Sequence, residues 1–148
     1  MTSKSDFTAE EWKLVLEGPP SAGMIVVTAQ RGGSWRETIA MAKSYVEARQ
    51  QHGNSELLDD IVAAKPERDH THYHSLEELK THALQLLRDA VALLATKASV
   101  EEVGDYRQFI LTLSQHVAAA HREHGVEVSE AEQAAINDIT EALGIARA

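Results

Sequence analysis

Ser75-Leu76-Glu77-Glu78-Leu79-Lys80-Thr81-His82-Ala83-Leu84-Gln85-Leu86-Leu87-Arg88-Asp89-Ala90-Val91-Ala92-Leu93-Leu94-Ala95-Thr96-Lys97-Ala98-Ser99-Val100-Glu101-Glu102 reads as one whole helix and the start of the next. Leu76, Leu79, Ala83, Leu86, Leu87, Ala90, Leu93 and Leu94 recur at three- and four-residue spacings, so a helix gathers them into one wide apolar stripe. Ser75 precedes the stripe, and Glu78 stands three residues on. In that arrangement the hydroxyl accepts from the third helical N–H while the carboxylate reaches back to the cap's own N–H. Two orphan donors of the helix start are thereby satisfied together. Ser99 with Glu102 repeats the device, as do Thr8 with Glu11, Ser34 with Glu37 and Ser129 with Glu132, each ahead of a periodic apolar segment. Five such pairs in register predict an all-α fold, a compact single-domain bundle of six or seven helices over residues 1–148.

Working outward, a first helix is predicted from about Thr8 to Glu17, carrying Trp12, Leu14, Val15 and Leu16, with Gly18-Pro19-Pro20 as its stop. A short second helix follows from about Pro20 through Met24, Ile25, Val26 and Val27. Periodicity alone leaves a buried strand open for so continuous an apolar run. Helix is preferred because no second strand candidate exists to pair with it. A third helix spans Trp35 to about Gln51, with Ile39, Ala42, Val46 and Arg49 on one face, and a fourth covers Ser55 to Ala64. The polar stretch 65–74, with Pro66, is the predicted irregular connection. Beyond the opening stretch, a helix from about Val100 to His124 aligns Val103, Tyr106, Ile110, Leu113, Val117 and Ala120. The last, about Glu130 to Leu143, ends at Gly144, a residue suited to a left-handed cap.

Composition bounds the function classes. At 148 residues and 43% hydrophobic, the chain can bury a core without disulfide or metal. Cysteine is absent, which removes thiol chemistry and points to a cytoplasmic setting. Residues 1–6 show no apolar leader core, and no apolar run approaches the roughly 20 residues of a membrane span. A formal charge of -9, with basic residues scattered among acidic ones, argues against nucleic acid as a partner.

Residues 23–37 and 116–132 both read as helix, glycine turn and capped helix, an echo expected of either a duplicated hairpin or chance likeness between two hairpins. The second copy, His124-Gly125-Val126-Glu127-Val128-Ser129-Glu130-Ala131-Glu132, continuing through Ile136, Ile139 and Leu143-Gly144-Ile145, resembles the closing motif of the tellurite-resistance TerB-like helical domains. The resemblance covers about residues 117–145, with weaker support at 23–37. It implies a duplicated all-helical bundle of bacterial stress systems, some members of which bind a divalent cation through acidic residues at the turns. This chain has His124 and Gly32 where the family's turns supply Asp, so such a site does not carry over; Glu130 and Glu132 remain as acidic candidates. The chain also resembles small bacterial helical proteins that begin with Phe-Thr-x-Glu-Glu-Trp, here Phe7 to Trp12.

Histidine is the remaining chemical constellation. His70, His72 and His74 alternate in the polar connection, and a backbone folded around an ion would let them ligate Zn or another divalent metal, with water in a fourth position. A solvated polar loop is the alternative. His74, Glu78 and His82 would share a helix face only if the helix extended back past the Ser75 cap. His121 and His124 fall where a helix end favours positive charge, and His116 falls beside the apolar stripe, as a satisfied, partly buried histidine does. No paired Glu-x-x-His, Gly-x-Ser-x-Gly, phosphate loop or dinucleotide fingerprint occurs. Trp12, Trp35, Tyr45, Tyr106 and Phe109 read as core or interface anchors. Trp35, in the first turn of its helix beside Gly32-Gly33, is the candidate partner-binding residue. The sequence therefore points to a non-catalytic binding or assembly protein, homo-oligomeric or bound to a protein partner, with no cofactor required. The competing expectation is a divalent-metal protein or metal-dependent enzyme built on His70, His72 and His74.

Overall fold

The computed structural model describes residues 4–29, 35–50, 56–64, 75–122 and 130–144. Among them a 3₁₀ turn, Lys4–Asp6, leads into six α-helices: α1 Ala9–Ala29, α2 Trp35–Gln50, α3 Glu56–Ala63, α4 Leu76–Lys97, α5 Val100–Arg122 and α6 Glu130–Ala142. No strand occurs among the described residues, and the run from Met24 to Val27 is helical. The chain is an all-α bundle, as the capping pairs predict.

The pairs at Thr8 and Ser99 make both bonds that the sequence suggests, and the pair at Ser75 makes the bond of its hydroxyl. Thr8 Oγ1 accepts from Glu11 N at 3.1 Å while Glu11 Oε1 accepts from Thr8 N at 2.9 Å. Ser99 and Glu102 exchange the same two bonds at 3.1 and 3.0 Å. Ser75, in extended backbone conformation, accepts from Glu78 N at 3.0 Å, so α4 starts at Leu76 and does not reach back toward position 74. Ser34 and Ser129 lie outside the described residues. The Phe-Thr-x-Glu-Glu-Trp motif gains a structural reason: Phe7 and Trp12 flank the Thr8 cap, and their rings pack 5.6 Å apart as a hydrophobic staple. At the other end of the chain Gly144 takes φ +75° and closes α6 in the left-handed conformation.

One boundary is corrected. Gly18-Pro19-Pro20 does not stop a helix; α1 runs through it for 21 residues, and all three of these residues are buried. Pro19 and Pro20 have no N–H to donate to the carbonyls of Val15 and Leu16 four residues back, a loss that costs roughly 3 kcal/mol or more in an ordinary helix interior. The Tyr106 hydroxyl, from α5, donates to Val15 O at 2.7 Å and takes the place of the missing amide at position 19. Burial, with Tyr45 adding to it, holds the Tyr106 phenol well above its usual value, so it keeps the proton that it donates. Gly18 is needed beside it, because a Cβ there would run into the Tyr106 hydroxyl and approach Tyr106 Cζ to 3.2 Å. Sequence rules for helix stops know nothing of a donor supplied 91 residues away.

α1 then lies at the centre, packed most extensively against α4 and α5 and also touching α6 and α2, while α2 packs mainly on α5. Val15, Ile25, Val26, Leu87, Leu94, Ile110, Leu113, Ile139 and Leu143 form one continuous buried core with Trp12, Tyr45, Tyr106 and Phe109. A second correction concerns α2. Among the described side chains its inward face is Met41, Ser44, Tyr45 and Ala48, whereas Ala42 and Val46 of the predicted strip are exposed; the side chains of Ile39 and Arg49 lie outside the described set. Tyr45 meets Phe109 of α5 edge-on at 5.3 Å, and so large a buried ring decides which face turns inward.

Tyr106→Phe should lower unfolding free energy by about 1–3 kcal/mol by orphaning the Val15 carbonyl; in a Pro19→Ala background the loss should shrink, because alanine at that position restores an N–H in line. Urea titration of wild type, both single variants and the double variant checks this; strictly additive losses would show that the hydroxyl does not stand in for the amide. A second outcome concerns Glu11, whose carboxyl is held below its usual value chiefly by the Thr8 N–H and then by Lys97. A depressed folded value means that this stabilisation is complete above the ordinary glutamate pKa of about 4.3 and is lost as pH falls through the folded value. Glu11→Gln should therefore flatten the acid limb of stability against pH.

Candidate functional site

Where α2, α3 and α5 converge, the bundle leaves a half-open cleft of about 240 Å³. Its apolar wall is Ala48, Leu58 and Phe109, and its polar lining is Ser44 and Glu47 from α2, Asp59 from α3, and Asp105, Gln108, Thr112 and His116 from α5. No lysine or arginine lines it among the described residues. Each side chain is placed by helical phase: Asp105, Gln108, Thr112 and His116 follow one another at three- and four-residue steps along α5. Ser44 and Ala48 lie one turn apart on the inward side of α2. Gln108 Nε2 donates to Thr112 Oγ1 at 3.2 Å, which ties down the middle of the α5 wall.

The imidazole of His116 joins the two long walls. Its Nδ1 lies 3.0 Å from Ser44 Oγ and 3.9 Å from Glu47 Oε2. Ser44 is buried, and its hydroxyl lies within hydrogen-bond reach of both Ala40 O, at 3.1 Å, and the His116 ring. The sequence expectation of a satisfied, partly buried histidine at 116 describes this contact well. It also separates the trio from a nucleophile relay, in which serine and carboxylate must address opposite ring nitrogens and the serine must give its proton to the ring. Here both oxygens face Nδ1.

The other candidates fare differently. His70, His72 and His74 lie outside the described residues, as do His124, the side chain of His121 and the turns of both glycine hairpins. Trp35 opens α2, but its side chain is outside the described set. His82 is exposed on α4; Glu130 is exposed at the start of α6 while Glu132 is fully buried. Among the described residues no group of three or more His, Asp or Glu is arranged to hold a metal ion. Trp12, Tyr45, Tyr106 and Phe109 are core residues.

Sequence reasoning missed Ser44, Glu47, Asp59 and Asp105. One signal was available: Met41, Tyr45 and Ala48 define a stripe that includes Ser44, a polar residue on an inward face. Compared with known protein families, with curated proteins and with solved structures, the chain matches none.

The geometry predicts that Ser44 is no nucleophile. Hydrolysis of p-nitrophenyl acetate should proceed at the same rate with wild type and Ser44→Ala. A loss of about tenfold or more in the variant, well within what a general acid–base pair commands, would restore the catalytic reading.

Proposed function

We propose that this domain is a non-catalytic binding protein and that the cleft between α2, α3 and α5 receives a small organic cation bearing N–H donors. The observation that carries this reading is the composition of the cleft. Glu47 and Asp105 supply negative charge and acceptors on two of its walls, and Phe109 with Leu58 gives an apolar wall for a hydrocarbon stem. An ammonium group gains from acceptors at the rim and from an aromatic face, and it loses less to desolvation in a cleft that stays half open. The volume suits a molecule of a few heavy atoms rather than a peptide.

A second reading, self-association through α2, draws on the outward pair Ala42 and Val46, the latter 47% exposed, on the helix that begins with Trp35. The histidines at 70, 72 and 74 keep the divalent-metal reading in view as the alternative.

Putrescine, a short diammonium chain, is the probe. Calorimetric titration near neutral pH should give saturable one-site binding, and Asp105→Asn should weaken it about tenfold, the equivalent of roughly 1.4 kcal/mol. No heat from putrescine, together with a dimer in sedimentation that Val46→Glu dissociates, would favour assembly instead. Stoichiometric zinc in untagged protein, lost in His72→Ala, would favour the metal reading.

A further inference from the structure

We propose that Lys4–Phe7 is a strap that lifts from the bundle as a unit while the helices stay folded, and that Lys97 of α4 is the pin that holds it shut over Trp12. The strap is tied at both ends and lightly packed between them. Its 3₁₀ turn, Lys4–Asp6, buries no residue. Phe7 is its one apolar side chain, half-buried against the core. At one end Lys4 N donates to Asp60 Oδ2 of α3 at 3.1 Å. At the other, Lys97 Nζ donates to Asp6 O at 2.9 Å and to Glu11 Oε1 at 3.0 Å, and it lies 5.5 Å from the Phe7 ring centroid. Beside the strap is an open bowl of about 790 Å³ whose lining includes Lys4, Phe7, Trp12 and Asp60, so the segment spans space instead of resting on a close-packed surface.

Opening can stay local because α1 begins without help from the strap. Thr8 and Glu11 close the helix start between themselves, and Thr8 O accepts from Trp12 N at 2.9 Å, which leaves the hinge just ahead of Thr8. Exposed polar contacts are individually weak. A segment held by such contacts and a single half-buried ring opens far more readily than the bundle unfolds. What the strap covers gives the motion its consequence. Trp12 stands in the first turn of α1, yet it is only 6% exposed, with the Phe7 ring 5.6 Å away. Lifting Phe7 uncovers a face of the indole. Lys97 is the pin because one ammonium serves a strap carbonyl, a carboxylate of α1 and the Phe7 ring together. Its place in the last turn of α4, where positive charge is favoured, keeps it there.

Amide exchange by NMR and acrylamide quenching of Trp12 test the strap, in a Trp35→Phe background so that one indole is read. Wild type is compared with Lys97→Met, which keeps the apolar stem and loses the charge, and with Lys97→Arg, which keeps charge and donors. In Lys97→Met the amide of Lys4, whose bond is to α3, should exchange about tenfold faster and Trp12 should be quenched more, while the amide of Leu113, fully buried in α5, keeps its protection. Lys97→Arg should restore both readings. Phe7→Ala, which removes the ring and leaves Lys97 in place, should speed Lys4 exchange in the same way. Melting curves confirm that each variant is folded. Exchange that quickens at Lys4 and Leu113 in parallel would show that the strap leaves only with the whole bundle. Lys4 exchange unchanged in Lys97→Met would show that the two ends release separately, and unchanged quenching would show that the strap does not cover Trp12. Any of these three results overturns the proposal.

Discussion

The hydrogen bond from the Tyr106 hydroxyl to the Val15 carbonyl is the contact on which the bundle turns. α1 can occupy the centre only if it remains one helix past Pro19 and Pro20, and a carbonyl left bare in that core would be costly. The donor comes from α5, so the continuity of one helix depends on the docking of another. Gly18 makes the approach possible, and burial keeps the phenol protonated. The three residues that would end an isolated helix thus become the place where α1 and α5 are brought into fixed register. Ile110, one turn along α5 from Tyr106, then sits against the same glycine, with its Cδ1 3.5 Å from where a Cβ would stand.

A different set of contacts secures the entry to α1. Lys97, in the last turn of α4, donates to Asp6 O at 2.9 Å and to Glu11 Oε1 at 3.0 Å, and its ammonium lies 5.5 Å from the Phe7 ring centroid. Lys4 N donates to Asp60 Oδ2 of α3 at 3.1 Å. The start of the first helix is therefore held by α4 on one side and α3 on the other. None of these exposed contacts is strong by itself. Together with the Thr8 cap and the Phe7–Trp12 staple, they fix the direction in which α1 enters the bundle, and so the position at which Val15 meets Tyr106.

What the sequence discloses, and what it hides, follows from the range of the forces involved. The caps at Thr8, Ser75 and Ser99 are local, three residues wide, and legible from the order of residues alone. So are α4, α5 and α6, whose stripes are long enough for period to decide. The Gly18-Pro19-Pro20 boundary misleads because its remedy is non-local: local propensity says stop, and a tertiary hydroxyl overrules it. The α2 face misleads because Ala42 and Val46 are apolar yet small. Tyr45, with a larger area to bury and Phe109 to meet, sets the rotation of the helix instead. That rotation also explains why the cleft is invisible in the sequence. It turns Ser44 inward and brings Glu47 to the rim, and neither residue belongs to a motif.

The same rotation bears on how the cleft can work. Because α2 packs chiefly on α5, the His116–Ser44 bond joins the two helices whose facing sides form its long walls. Ser44 is anchored to Ala40 within its own helix and cannot swing away without giving up that bond. Glu47, by contrast, is well exposed, with a side chain 58% accessible, and touches the ring from the rim of the cleft. The fixed contact therefore orients the ring. The buried Tyr45–Phe109 pair, edge to face at 5.3 Å, joins the same two helices and adds an apolar contact to the polar one.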